Sequence, residues 1–510
     1  MTLRVIPTPL GAKGLTRAAL DGSFQSDWYV RPPRGSEGWT VRAEGVVSSM
    51  ESRDWLRALD GALVPTGRAA ERLAAAARDG FVVTCGQQPG LFGGPLYTWW
   101  KALSALEFAN ALQETTGRPV APVFWAATDD SDFEEARSTA VVTPDGAQKI
   151  ELTGRDDPGL PMALVPLGDV SPQVEALRRA AGSAPHPRIL DVVARAYSPG
   201  ETIGSSFVSL LREVLAPLGV AVLDSSHNCV RERARTILRR ALERAREIEA
   251  GLVARDSDIK AAGFSPQVQT VRGRSLVFAA TDGRRARVPI RHLEQAASDN
   301  ALDNLSPNVL LRPIVERHIL PTVAYLGGPA EIAYFAQVSA VAEALGSEPP
   351  LILPRWSGLV IEPRIQKILE RHHLSPKDFS DPHAVESQLA QESLPPELRA
   401  KLADLRQTLE EQIARLATRQ DEGLVSPRVI EGLRRNLLHR VERLERRYTA
   451  AVKREGNAAL HEIALARASL YPFGVPQERI LNGIPLMARH GEELFDSVTP
   501  VVRAHVASLV

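Results

Sequence analysis

The chain has two cysteines in 510 residues, Cys85 and Cys229. That is too few for a disulfide framework, and a reducing cytosol is the natural setting. No stretch approaches 18 consecutive apolar residues, so no membrane-spanning helix is expected. Met1 to Leu20 lacks the apolar run of a signal peptide, which makes the expected location cytoplasmic. Neither sign of charge is in excess: 61 Lys+Arg face 61 Asp+Glu. Bulk electrostatic attraction to nucleic acid is therefore excluded as the main business of the chain. No H-E-x-x-H, C-x-x-C or other paired metal spacing occurs, so no protein-bound metal is expected. No G-x-S-x-G elbow occurs either, which argues against a serine hydrolase. Glycine and proline, 36 and 37 residues, are near ordinary usage and exclude collagen-like or low-complexity classes.

What is present reads as α/β, with two to four structural units at about 100–200 residues per domain. Phe81–Cys85 is a short buried-strand pattern. A glycine-rich loop, 86–95, follows it, and then a helical period from Leu96 to Leu112. The next strand is 120–127, and strand, helix, strand in this compass makes a βαβ unit and a parallel sheet. A further strand at 219–224 precedes one long helix expected over 228–253. Residues 1–383 form this core, with insertions near 145–200 and 260–300. The second insertion carries a hairpin signal, apolar runs on either side of Thr281-Asp282-Gly283.

Residues 384–470 change character. Leu398, Leu402, Leu405, Leu409 and Leu416 follow a coiled-coil seam, and Ile430, Leu433, Leu437, Val441, Leu444 and Tyr448 repeat it. The turn between the arms is expected at Asp421–Pro427. The reading is an antiparallel helical hairpin that protrudes and packs on a second copy, giving a homodimer. Residues 471–510 are expected to pack back on the core.

Four constellations invite chemistry, each with a plainer alternative. Gly86, Gln87, Gln88, Gly90, Gly93 and Gly94 lie between strand and helix, where backbone N–H groups suit an anion or nucleotide phosphate. The spacing is not a P-loop, and Lys101, two turns on, is an uncertain stand-in for its lysine; the alternative is a tight turn. Asp129, Asp130 and Asp132 follow the next strand and suit a metal–nucleotide complex or an amine, or else belong to a helix start capped by Ser131 with Glu134. Ser306, Asn308 and Arg312 offer a hydroxyl, an amide and a guanidinium for a carboxylate or phosphate, or form an ordinary loop. Gly327-Gly328 opens a helix whose Glu331, Tyr334 and Gln337 share a face, for substrate or for packing. His227, Cys229, the His372-His373 pair and the arginine-rich runs at 231–246 and 434–447 read as structural or solvated.

These stretches resemble the BshC family of bacillithiol-biosynthesis cysteine-adding enzymes. The likeness runs through Thr84–Thr98, Pro122-Val123-Phe124-Trp125 and Ser306-Pro307-Asn308-Val309 with Arg312-Pro313. It continues through Leu320-Pro321-Thr322, Gly327-Gly328-Pro329 with Glu331-Ile332-Ala333-Tyr334, Pro354-Arg355 and Pro476-Gln477-Glu478-Arg479. The resemblance implies a Rossmann-type core with inserted connecting segments and a dimer-forming coiled coil, the core being similar to class I nucleotidyl-transfer enzymes. Their His-x-Gly-His loop is absent, and Gln87-Gln88 lies at the comparable turn. The implied activity is addition of L-cysteine to the amine of glucosaminyl malate. The chain departs from the family at three places: Ser131 stands in the acidic loop where a histidine is usual, Glu316 replaces a glutamine, and Ala330 replaces a glycine.

Amide formation from a carboxylate needs activation, so ATP, with Mg²⁺ as its possible companion, is expected. The glycine loop, with Gln87, would take phosphate. Asp129, Asp130 and Asp132 would orient an ammonium or Mg²⁺, Arg312 a carboxylate, and Glu331 with Tyr334 the substrate. Two rivals remain open: a nucleotidyltransferase of another pathway, and a non-enzymatic coiled-coil assembly protein. The ligase reading requires that the turns at Gly86 and Gly327 and the aspartates near 130 share one crevice.

Overall fold

A computed structural model describes residues 2–11, 13–21, 27–153, 159–297, 302–381, 385, 394–418, 426–454 and 458–510. It has two compact units. The larger comprises Leu3–Thr143, Gln148–Val360 and Glu478–Val510; the smaller is built mainly of Ile361–Gln477.

At the centre of the larger unit is a five-stranded, all-parallel sheet. Its spatial order is Ile352–Pro354, Thr322–Gly327, Phe81–Gln87, Val120–Ala126 and Ala221–Asp224. Thr322–Gly327 and Val120–Ala126 are buried throughout, as strands covered by helices on both faces must be. The strand expected to stop at Cys85 continues to Gln87, because Gly86 and Gln87 stay in register with Trp125 and Ala126. Gly86 is required there: a Cβ would come within 2.8 Å of the Trp125 carbonyl oxygen.

The helix Leu96–Thr116 lies almost wholly inside, with Trp99, Trp100 and Phe108 among the largest buried side chains. The long helix expected over 228–253 is two helices, Asn228–Glu243 and Ala245–Ala261, broken at Arg244. Every member of the apolar stripe from Val230 to Leu252 is nevertheless buried, so periodicity passes through the break undisturbed. The hairpin Arg274–Thr281 and Arg284–Pro289 turns at Asp282-Gly283. Leu305–Pro307, read as a loop, adds a third antiparallel strand to it.

In the smaller unit Pro396–Thr418 and Pro427–Arg454 are long helices that pack on one another. The expected turn at Asp421–Val425 lies outside the described residues. The expected seam is only half internal. Leu402 and Val441 are buried, as is Ile413, which the heptad reading omits; Leu405, Leu416, Leu433, Leu444 and Tyr448 face outward. Arg406 and Glu442 pair between the arms at 3.5 Å. His372, expected to be solvated, bonds Glu462 at 2.8 Å. No described helix is long and apolar enough to cross a membrane.

Candidate active site

Strands Phe81–Gln87 and Thr322–Gly327 are neighbours, yet the chain leaves them toward opposite edges of the sheet. Such a switch point leaves a crevice at the carboxyl ends of the strands, where ligands of open α/β sheets bind. A cavity of about 620 Å³ lies there. Gly86, Gln87, Gln88, Asp130, Gly328 and Glu331 all line it, so the turns at 86 and 327 and the acidic loop open into one space.

The floor is a buried ion pair. Lys101 Nζ lies 2.6 Å from Glu331 Oε2 and donates to Gly86 O at 2.8 Å and Gln87 Oε1 at 2.9 Å. Three acceptors consume the ammonium, so Lys101 is not a phosphate-binding lysine. Burial pulls Lys101 below its ordinary value, and Glu331 opposes this. Burial alone would raise Glu331, but Lys101 overrides it and holds the carboxyl below its usual range. Tyr325 Oη and the Gly328 N–H also donate to Glu331. Behind this pair, Arg312 bonds Glu316 at 2.8 Å, lies over the Tyr325 ring and reaches Tyr334 Oη at 3.4 Å. Glu316 in turn accepts from Thr84. Arg312 therefore lines the cavity with its charge already matched. Gln337 is turned away and clamps Val268 N and O.

One wall is acidic. Gln87 Nε2 joins Tyr97 Oη at 3.1 Å and Glu135 Oε1 at 2.9 Å. Burial raises the Asp130 carboxyl, which a Gln88 hydrogen bond partly offsets. Glu135 is raised by burial and by repulsion from Asp132 and Asp130. All three aspartates line the cavity, each with partners of its own. Asp129 accepts from Ser225 and sits 3.6 Å from Arg285 Nη2, whereas Asp132 caps a short helix by accepting from Glu135 N at 3.1 Å. The cap is thus Asp132, not Ser131. Among the described residues no group of three His, Cys, Asp or Glu side chains could hold a metal ion.

The rest of the lining carries basic groups, two of them against the acidic side: Arg285 beside Asp129 and Arg355 over the Tyr97 ring. Arg285 and Arg287 alternate along a strand and lie 4.5 and 5.7 Å from the Phe278 ring centroid. Arg355 and Arg479 complete the basic set. Among the described residues, four buried donors of this lining have no partner: Trp125 Nε1, Asn308 Nδ2, Arg285 Nε and Arg355 Nε. Asn308 is held by its other end, where Oδ1 accepts from Leu310 N and Leu311 N. Buried donors are rarely left unpaired, so this lining fits an acceptor-rich, anionic ligand.

Other expected residues lie elsewhere. Gly90, Gly93 and Gly94 are buried and are not part of the cavity lining. Tyr197 Oη bridges Gly93 N and Gly90 O, and Asn482 Nδ2 binds the carbonyls of Leu91, Phe92 and Gly94. Gly93, at φ +84°, has no space for a Cβ, which would lie 2.5 Å from Trp99. This half of the loop is the tight turn of the plainer alternative. Ser306 lines a neighbouring cavity instead. The reading assigned no role to Glu135, Arg285, Arg287 and Tyr325, and placed Tyr97, Arg355 and Arg479 only within the family likeness and Lys101 only as a stand-in for a P-loop lysine. The available signal for Arg285 and Arg287 was their i, i+2 spacing after a hairpin turn.

This geometry defines an α/β protein with a ligand site at the sheet's switch point. Residues 65–356 match the family model "Bacillithiol biosynthesis BshC, N-terminal Rossmann-like domain", and residues 358–505 match "Bacillithiol biosynthesis BshC, C-terminal coiled-coil domain". A relative from Solibacter usitatus is 32% identical over 93% of this chain and 92% of its own length. One from Koribacter versatilis is 33% identical over 82% of each, and one from Staphylococcus carnosus 28% over 84% of each. All three carry the name "Putative cysteine ligase BshC". The chain belongs to the BshC family of bacillithiol biosynthesis.

Proposed function

We propose that the protein is an ATP-dependent cysteine ligase that joins the carboxyl of L-cysteine to the amine of glucosaminyl malate. The observation carrying this reading is one cavity lined by an acidic wall and by basic groups, with unpaired buried donors among them. Both substrates carry an ammonium and at least one carboxylate; the acidic wall suits the first and the basic groups the second.

In the reaction, the cysteine carboxylate attacks a phosphorus of ATP, forming a mixed anhydride and expelling pyrophosphate or ADP. The acceptor amine then attacks the activated carbonyl, the amide C–N bond forms, and AMP or phosphate leaves. Asn308, Arg285 and Arg355 would stabilise the phosphate and carboxylate oxygens with donors that need no reorganisation. Glu135 and Asp130 would hold the ammonium. Asp130, raised by burial, is suited to take the proton the amine must shed. Mg²⁺, where used, would arrive on the nucleotide phosphates, since the aspartates are turned to other partners. Self-association would use the outward apolar positions of the helical hairpin.

The test is purified protein with ATP, cysteine and glucosaminyl malate, read by mass spectrometry of the thiol product and by nucleotide analysis. Cysteine-dependent ATP turnover with product formation is expected. Folded protein that gives neither rejects the reading. Pyrophosphate release driven by another substrate, without a thiol product, would favour the nucleotidyltransferase instead.

A further inference from the structure

A second cavity, of about 630 Å³, adjoins the first on the side of the strand Ala221–Asp224. Trp125, Asp129, Arg285 and Pro307 line both spaces and form the partition between them. On the partition, Arg285 Nε and Trp125 Nε1 are buried donors without partners among the described residues. Asp129 is the partition's carboxylate, held by Ser225 and Arg285.

The far walls differ in kind from the first cavity. Leu164, Val230 and Leu305 supply apolar surface opposite Trp125 of the partition, and Leu164 is 51% exposed, a large aliphatic group facing open space. Ser226, His227, Asp282, Asn304 and Ser306 supply short polar groups that both donate and accept, or accept only. Fixed cations, apart from Arg285 on the partition, are reduced to Arg231, which bonds Asn228. An anhydride or triphosphate finds little here. A polyhydroxylated ring fits: its C–H faces need apolar walls, and its rim of hydroxyls needs mixed donors and acceptors.

We propose that this second cavity seats the sugar ring of the amine-bearing acceptor, with the amine reaching past the Asp129–Arg285 partition into the switch-point cavity, where it meets the activated carboxyl. The inference rests on the ligase reading and adds to it a division of labour: the acyl donor and nucleotide occupy the switch-point cavity, the acceptor sugar the adjoining one. The ribose of ATP shares the ring chemistry, so the test separates the two sources.

Leu164→Trp fills the second cavity from its exposed rim. Asp282→Asn removes one acceptor charge at a left-handed turn position that asparagine tolerates. Calorimetric titration of the full chain, with melting temperature as a fold check, should show each variant binding glucosaminyl malate about tenfold more weakly, while ATP and cysteine affinities stay within about twofold. Unchanged glucosaminyl malate affinity in both folded variants overturns the inference and leaves the ligase reading standing. So does an equal loss for ATP. Wild-type protein that binds ATP and cysteine but not glucosaminyl malate overturns the inference together with the proposed acceptor.

Discussion

Lys101 and Glu331 are 5% and 14% exposed, and neither is stable there without the other. Removing one partner leaves an uncompensated buried charge, which costs about 3–5 kcal/mol, while removing both is far milder. Lys101→Met should therefore destabilise the protein by about that amount in urea unfolding, and Lys101→Met with Glu331→Met should recover much of it. If the double variant were as unstable as the single, the pair would not be the source. The acidic wall makes a second prediction at this scale. Asp130 and Glu135 both hold their protons to higher pH than ordinary carboxyls. Ammonium binding needs them ionised, so kcat/KM for cysteine should fall as pH drops through a range above the usual carboxylate values of about 3.9–4.3. Asp130 is itself one of the charges raising Glu135. Asp130→Asn should accordingly raise KM and move the remaining acid limb to lower pH. A limb that stays in place would dissociate these carboxylates from substrate binding.

Among the elements, the strand-to-helix turn is where the reading and the structure part. A run of four glycines between a strand and a helix is compatible both with a phosphate cradle and with a packed turn, because glycine serves either need. What decides is Asn482, almost 400 residues further along, whose amide donates to three carbonyls of the turn. No local pattern contains that contact. The turn near Gly327 and the βαβ unit were legible because each depends on apolar runs and punctuation within a few tens of residues. Arg285 and Arg287 were hidden for the opposite reason. Their hairpin was visible, but its placement over a crevice built by distant strands is a tertiary fact. Asn482→Ala should free the turn: amides of Gly93 and Gly94 should lose hydrogen-exchange protection, and stability should fall by about 1–3 kcal/mol. Because Gln87 and Gln88 are held from the acidic wall, KM for cysteine should move less than stability does.

At the scale of the whole molecule, the helical hairpin carries more apolar surface than its own two arms cover. The leucine period announced a seam, and the period was real. It could not say which leucines face the sister arm and which face outward, since a heptad reading assigns all of them to one interface. Leu402, Ile413 and Val441 are internal; Leu405, Leu416, Leu433 and Leu444 are not. A row of outward leucines is unusual on a monomer's surface and suits a partner helix. The two classes then have opposite signatures. Leu405→Glu with Leu433→Glu should yield a monomer in sedimentation velocity, with the melting temperature of the diluted wild type. Leu402→Glu or Val441→Glu should instead lower helicity, because a charge would be buried within the hairpin. Equal loss of helicity from both pairs would mean that the outward leucines serve the hairpin itself. Unchanged sedimentation from the first pair would place any self-association elsewhere.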